Sequence, residues 1–428
     1  MYNNIRAELR THNGVIAVLP CRSGKSWIMK AIVNAAVAKG NSVLILAHRH
    51  LLINQHRNLI KNCRIASVFT EVNHLGEYPR PDLIIIDEAH LSGAESYRKV
   101  CEYYGCKRVL FTATASRLDG KPLSLGDVIL NGISADELIE RGCVSPYDLY
   151  APKLDIDLSK VSMSGGDFNQ TELSEVMTER KIYGDIIKYY NLYANGRQSI
   201  AYCTSVKHSQ SVCDLFNHNG IAAVHLDATT PEQERQRIMS DFSAGKYKVI
   251  CCCNIISEGI TLPECDCVLL LRPTQSEALY IQQSCRCLTP REGKRAVIID
   301  YVGNVFAHGM PTEKRTYTLN KAVKVRNASR QSEVTARQCA NCFKVYKGTS
   351  RVCPYCGHDN GKTRAEIKAD EKAELERITE LKRKQDKEEL KDAGQSLEAL
   401  KAYGRKKGYK PGWAYQRWQI LQKYRNRY

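Results

Sequence analysis

The chain has 428 residues, is 43% apolar, and carries 63 basic against 46 acidic side chains for a net charge of +17. That length accommodates two or three domains with cores of their own, and no stretch approaches the roughly 20 apolar residues of a membrane-spanning helix. The first ten residues, MYNNIRAELR, place charges where a signal peptide needs an apolar core, so the expected setting is cytoplasmic. Fourteen of the 18 cysteines are scattered through residues 1–290, several inside apolar runs such as VICCC, and read as buried reduced thiols rather than a disulfide scaffold.

From the N-terminus, short apolar runs alternate with helical patterns, the mark of parallel α/β layers. Expected strands in the first half are Val15–Leu19, Ser42–Ala47, Asp82–Ile86 and Arg108–Thr112, with a helix from about Trp27 to Lys39 stopped by Gly40. Between the first strand and that helix lies LPCRSGKSW. It keeps the Gly24-Lys25-Ser26 of a phosphate-binding loop but has Leu19 where the first glycine belongs and Arg22 at a position usually small. In such a loop the backbone N–H groups, those of Ser23 and Gly24 included, cradle phosphates. Lys25 neutralises them and the Ser26 hydroxyl holds Mg²⁺. Glycine serves a positive φ, so the expectation is that Arg22 keeps φ negative beside the phosphates.

The third strand runs into LIIIDEAH, which sets Asp87 and Glu88 at the C-terminal end of a buried strand, where α/β sheets bind ligands. Asp87 suits the Mg²⁺ shell and Glu88 the orientation or deprotonation of an attacking water. A second set of strands is expected at Gln198–Cys203, Ala222–Leu226, Lys248–Cys253, Cys267–Leu271 and Arg295–Asp300. Beyond residue 305 the strand pattern stops.

Cys339, Cys342, Cys353 and Cys356 form two CxxC pairs ten residues apart, the spacing of a closed four-thiolate structural zinc site; redox-active pairs would need a thioredoxin-like βαβ pattern, which is missing. The charged run at 364–393 lacks a sustained apolar seam and reads as a solvated spacer helix. The final stretch interleaves basic Lys410 and Arg417 with aromatic Trp413, a pattern that either tracks phosphates and stacks on bases or forms one apolar face of a small docked helix. Residues 315–428 hold 28 basic and 13 acidic side chains against 35 and 33 in the first 314, so a nearly neutral body carries a polyanion-seeking appendage.

The ordered motifs resemble those of superfamily 2 helicases and translocases of the DEAH-box type, bacteriophage ones included, over about residues 10–305. Asp87-Glu88-Ala89-His90 is the box itself. The resemblance implies two RecA-like domains in tandem with ATP between them and Mg²⁺ as cofactor. LILAHRHLLINQ (His48, Arg49) and the motif IV stretch (Thr204) would touch the nucleic-acid strand. His90, Thr112 and Thr114 of FTATASR, and Glu258 and Gly259 of the motif V stretch would couple hydrolysis to strand binding. YIQQSCRCLTP stands at motif VI, commonly Q-x-x-G-R-x-x-R. Gln282 and Arg286 match, whereas Cys285 replaces the glycine and Thr289 the last arginine. Arg286 would complete the ATP site, with Arg291 a substitute candidate. The family's aromatic–Gln element for adenine has no clear counterpart in this N-terminus.

The expected architecture is therefore α/β: a RecA-like domain at 1–145, a linker at 146–194 and a second RecA-like domain at 195–305. A linker at 306–336, a zinc ribbon at 337–360, a charged helix at 361–395 and a basic aromatic tail at 396–428 follow. The expected activity is ATP-driven movement along or unwinding of DNA, single-stranded or forked. RNA is the alternative strand, and the ribbon or tail could hold protein partners. A DNA-binding adaptor with a decayed motor, motivated by Arg22 and Thr289, is the competing expectation. A motor within a restriction or repair assembly is a third, with cleavage left to a partner since no nuclease motif is recognisable.

Overall fold

The computed structural model describes residues 1–48, 50–91, 95–115, 123–151, 161–164, 167–177, 181–253, 262–319, 336–347, 350–361, 389–390, 392–394, 396–410 and 412–425. Arg49, Glu258, Gly259 and nearly all of the expected charged helix lie outside these residues. The chain divides into two compact units, 1–358 and 359–428.

After helix α1 (Tyr2–Glu8), the first unit builds a six-stranded sheet from β1 (Gly14–Val18), β2 (Val43–Ala47), β3 (Arg64–Ser67), β4 (Leu83–Ile86), β5 (Lys107–Thr112) and β6 (Val128–Asn131). The order is β3-β2-β4-β5-β1-β6, every pairing parallel. Helices α2 (Lys25–Val37), α3 (His50–Leu59), α4 (Val68–Asn73) and α5 (Glu95–Tyr104) alternate with the strands. Both sheet faces are covered, so the strands are continuous apolar runs and alternate residues feed two cores. Val15, Ala17, Ile45, Ile85 and Phe111 enter one core, while Ile16, Val18, Leu46, Ile84 and Leu110 enter the other. Helix α2 docks on the first of these through Met29, Ile32 and Val33, which fixes where the preceding loop ends.

The chain then passes through α6 (Ala135–Glu140) to β7 (Tyr147–Tyr150), the small pair β8 (Met163–Ser164) and β9 (Asp167–Phe168), and helices α7 (Gln170–Met177) and α8 (Lys181–Ala194). The second six-stranded sheet adds β10 (Ser199–Tyr202), β11 (Ala223–Leu226), β12 (Val249–Cys252), β13 (Cys267–Leu270) and β14 (Ala296–Asp300), with α9 (Val206–His218), α10 (Glu232–Ser243), α11 (Glu277–Ser284) and α12 (Asn304–His308). Its order is β11-β12-β10-β13-β14-β7, again with all pairings parallel. The stretch 146–194, expected as a linker, thus contributes an edge strand, and its Leu173, Met177, Ile186 and Tyr190 enter the second half's core. The expected linker after residue 305 also does structural work. Tyr317 and Asn131 exchange backbone–side-chain hydrogen bonds at 3.1 Å each, while Arg315 donates to Glu277 at 2.8 Å, so this strand of chain ties the two halves together.

The cysteine module pairs β15 (Ala336–Gln338) with β16 (Val345–Lys347) in antiparallel register. It covers the exposed edge of β7 through a bridge between Tyr150 and Lys344, and Lys344 Nζ lies 3.0 Å from Asp148 Oδ2. An open parallel-sheet edge is thereby closed. Among the described residues no helix is long and apolar enough to cross a membrane.

In the second unit, α13 (Leu397–Lys407) is capped by Ser396, whose hydroxyl accepts from Ala399 N at 3.0 Å, and ends at Gly408 in the left-handed conformation. It pairs with α14 (Trp413–Arg425) around Leu400, Tyr403, Ala414, Trp413 and Trp418. Gly404 lets Trp413 come close, since a Cβ there would lie 3.2 Å from the indole ring.

Candidate active site

The site begins where β1 ends. Leu19 continues the strand by donating to Thr112 O at 2.9 Å, Pro20 turns the chain, and α2 starts at Lys25 with Gly24 as N-cap at φ 80°. Arg22 has φ 65°, so the expectation of a negative φ was wrong. The loop's curvature demands a left-handed residue there, and Arg22 adopts that conformation at a cost on the order of 1–2 kcal/mol relative to glycine. Lys25 reaches back over the loop, with Nζ 3.4 Å from Leu19 O.

At the end of β4, Asp87 N is held by Leu46 O at 3.1 Å and the chain turns sharply through Glu88 at φ 49°. This second positive φ swings Glu88 into the same cleft as Lys25. The two neighbouring carboxyls are driven apart in affinity for protons. Burial works against the charge on Asp87, but a hydrogen bond from His56 Nε2 at 2.9 Å, with His56 and Lys25 nearby, holds it below the usual carboxylate range. Burial pushes Glu88 upward, Lys25 opposes, and Asp87 adds to the rise. Lys25 is buried too, yet Glu88 and Asp87 hold its ammonium above the usual lysine value. One carboxylate locked in its charged form and one tuned toward proton acceptance is the arrangement that hard-metal binding and base catalysis require. His56, on the helix after β2, was missed by sequence reasoning; a lone histidine on the buried face of an amphipathic helix was the available signal.

Lys25, Ser26, Asp87 and Glu88 line one cavity of about 330 Å³ together with Gln282, Cys285 and Arg286 from the end of α11 and the 3-10 turn after it. The second half therefore closes the cleft, as the motif VI resemblance implied. Close polar contacts cross it: His90 Nδ1 stands 3.4 Å from Glu88 Oε2, and Gln282 Nε2 hydrogen-bonds to His90 Nε2 at 3.1 Å. With the amide N–H donating, the imidazole carries its proton on Nδ1, facing Glu88. The Cys285 thiol donates to Cys21 of the phosphate loop, and this bond, with the charges of Lys25, Arg286 and Arg22, lowers the Cys21 thiol to about 5 against the effect of burial. Ser26 and Asp87 offer a hydroxyl and a deprotonated carboxylate to the same space, a donor set that fits Mg²⁺. Arg291 is turned elsewhere and pairs with Asp266 through two bonds of 2.8 and 2.9 Å.

Other expected residues are dispersed. Thr112 and Thr114 are buried at the end of β5, where Thr112 Oγ1 donates to Thr114 O at 2.6 Å. Thr204 is 1% exposed and its hydroxyl bonds to His208 Nδ1 at 2.9 Å, so its side chain does not face a strand. His48 packs edge-on to Phe69. Trp413 is turned into the helical pair against Tyr403 and Tyr409, its ring 4.6 Å from that of Tyr409, while Lys410 and Arg417 stay exposed.

Away from the cleft, the sulfurs of Cys339, Cys342, Cys353 and Cys356 all lie within 4.8 Å of one another. The N–H groups of Asn341 and Cys342 point at Cys339 Sγ from 3.4 and 3.5 Å, the turn that prepares a thiolate for a metal ion. The four-thiol set fits a structural metal.

The model of the helicase conserved C-terminal domain matches residues 182–289, and that of the type III restriction enzyme res subunit matches residues 60–117. The chain is 35% identical over 372 residues to the 51.5 kDa protein of a Lactococcus phage (isolate 7-9), covering 85% of this chain and 82% of that one. The chain carries a superfamily 2 helicase domain. It shares a family with that phage protein and has the ATP-hydrolysing domains of a nucleic-acid helicase or translocase. The putative ATP-dependent helicase IRC3 of Saccharomyces cerevisiae is 33% identical to this helicase over 254 residues, which is 56% of this chain and 37% of the yeast protein. The putative mitochondrial helicase irc3 of Schizosaccharomyces pombe is 30% identical over 60% of this chain and 45% of its own. This helicase thus spans less than half the length of either yeast relative. Its fold also matches a fragment of a putative HsdR subunit of a type I restriction enzyme from Vibrio vulnificus YJ016, with TM-score 0.56 and 18% identity over 72% of this chain and 64% of that one. A DNA-bound ATP-dependent type ISP restriction-modification enzyme matches with TM-score 0.50 and 15% identity over 70% of this chain and 27% of that one.

Proposed function

We propose that this helicase is a DNA-dependent ATPase that moves along or opens DNA by closing and reopening the cleft between its two sheets. The observation that carries the reading is the single cavity shared by Lys25, Ser26, Asp87 and Glu88 with Gln282 and Arg286. Lys25 and the N–H groups of Ser23 and Gly24 hold the β- and γ-phosphates. Mg²⁺, held by Ser26 and Asp87, would neutralise charge on the phosphates. Glu88 takes a proton from the attacking water, which its raised proton affinity favours. Arg286 brings positive charge to the transferred phosphoryl group from the other half, so hydrolysis depends on closure. The His90–Gln282 contact reports the state of Glu88 to the second half.

DNA is favoured over RNA by the DNA-bound restriction enzyme among the structural matches. We assign zinc to the four thiols, with the module bracing β7, and phosphate contact to the exposed basic side chains of the tail, Lys410 and Arg417 among them. The buried thiols suit a reducing cytoplasmic setting. The test is steady-state ATPase with single-stranded, duplex and forked DNA and with RNA. Stimulation by DNA is expected, with Lys25→Ala losing nucleotide affinity and Glu88→Gln losing turnover by at least about 10³-fold. Absence of turnover with every ligand would instead leave a DNA-binding adaptor.

A further inference from the structure

The phosphate loop faces motif VI at two points. Cys21 meets Cys285, which stands where the motif has glycine. Arg22, which stands where the loop is usually small, lines the same cavity as Arg286, the one arginine that motif VI retains. Position 289, where the motif carries its second arginine, is Thr289 and lies outside the residues that line the cavity. Arg286 lines the cavity from the second half and Arg22 from the phosphate loop, while position 289 contributes nothing to it.

We propose that Arg22 is a catalytic residue: from the phosphate loop itself, it supplies the second guanidinium to the transferred phosphoryl group that Thr289 cannot supply. This rests on the ATPase reading of the cleft. A guanidinium is the fitting group because its planar donors engage two phosphate oxygens at once and its charge is permanent. The geometry favours the assignment further. Arg22 sits two residues before Gly24 on the loop that ends at Lys25, so it is tethered next to the phosphate site whatever the second half does. Burial and the nearby charge of Arg286 both weigh against its own charge. Two guanidinium groups held together in a low-dielectric cleft repel, and a polyanionic triphosphate between them converts that repulsion into attraction. The left-handed backbone at Arg22 then has a use, since it carries a long side chain to the cleft from a position usually small.

The backbone conformation makes the test clean. Glycine is the residue that φ 65° prefers, so Arg22→Gly removes the guanidinium while relieving the turn. We expect Arg22→Gly to melt at or a few degrees above the wild-type temperature and to keep its affinity for ADP within about threefold. Its DNA-stimulated kcat should fall on the order of 10²-fold, the scale of losing one charged donor to a transition state, and its affinity for ADP–aluminium fluoride should fall in step. A residue that merely tolerates the loop predicts the opposite, and Arg22→Gly turning over like the wild type would overturn the proposal. Lys25→Ala separates the two levels. If the wild type hydrolyses ATP and Lys25→Ala does not, the site stands, and the Arg22→Gly result alone judges Arg22. A wild type without turnover removes the ATPase reading itself.

Discussion

The two halves of the motor are built alike and charged differently. Each is a six-stranded parallel sheet with alternate residues feeding cores on its two faces. The first half presents its chemistry at strand ends: the loop after β1 gives Lys25 and the turn after β4 gives Asp87 and Glu88. The second half presents its groups from a helix end, Gln282 on α11 and Arg286 on the turn beyond it. Strand ends are rigid because ladder hydrogen bonds and two packed faces hold them, which suits groups that bind the nucleotide. A helix end on a separate sheet suits groups whose approach can be gated. The proposed reading thus leaves nucleotide binding and the base Glu88 on the first half and makes turnover depend on Arg286 arriving from the second.

That division can be broken at several points. Arg286→Ala should lower kcat on the order of 10³-fold while nucleotide affinity changes little, measured by stopped-flow binding beside steady-state turnover. Equal losses in binding and turnover would show that the halves share both tasks. Gln282→Leu removes the partner of His90 at the 3.1 Å contact; DNA stimulation of the ATPase should fall about tenfold with the DNA-independent rate spared. Removal of the metal by a chelator should release one zinc ion per chain. It should also lower the melting temperature by several degrees, because β16 then no longer closes the edge of β7.

A separate expected effect, on stability alone, concerns Asp300, at the end of β14. It is fully buried, and burial raises its carboxyl to about 6 against the hydrogen bonds that it accepts from backbone N–H groups, Val305 at 2.7 Å among them. The unfolded chain releases this proton near pH 4 and the folded chain only near 6, so this group's contribution to stability falls as pH rises across that window, by about 3 kcal/mol. Asp300→Asn has no proton to release, and its melting temperature should depend less steeply on pH between 4 and 6. An unchanged slope would remove Asp300 as its source.

What the sequence made legible follows the same physics. All nine expected strands form, within a residue or so at each end, because strands buried on both faces must be apolar throughout, as Leu83–Ile86 and Val249–Cys252 are. The strands of the two sheets that escaped notice, Arg64–Ser67, Val128–Asn131 and Tyr147–Tyr150, are four residues long and lie at sheet edges, where only part of the run is buried. Lys25, Asp87, Glu88 and Arg286 were readable because each sits in a compact local pattern. Partners brought together by folding were not: His56 against Asp87, Cys21 against Cys285, and Arg22 beside Arg286 come from segments with no shared signature. Trp413 was left open for a related reason. An aromatic in a basic stretch can serve a base or a neighbouring helix, and Gly404 decides for the helix.

The central claim is that one cleft, assembled from both halves, hydrolyses ATP. Single-turnover hydrolysis with saturating DNA, compared between the wild type and Glu88→Gln, addresses it most directly. The account predicts rapid phosphate release in the wild type, and bound but uncleaved ATP in the variant. Equal rates in the two proteins would contradict it.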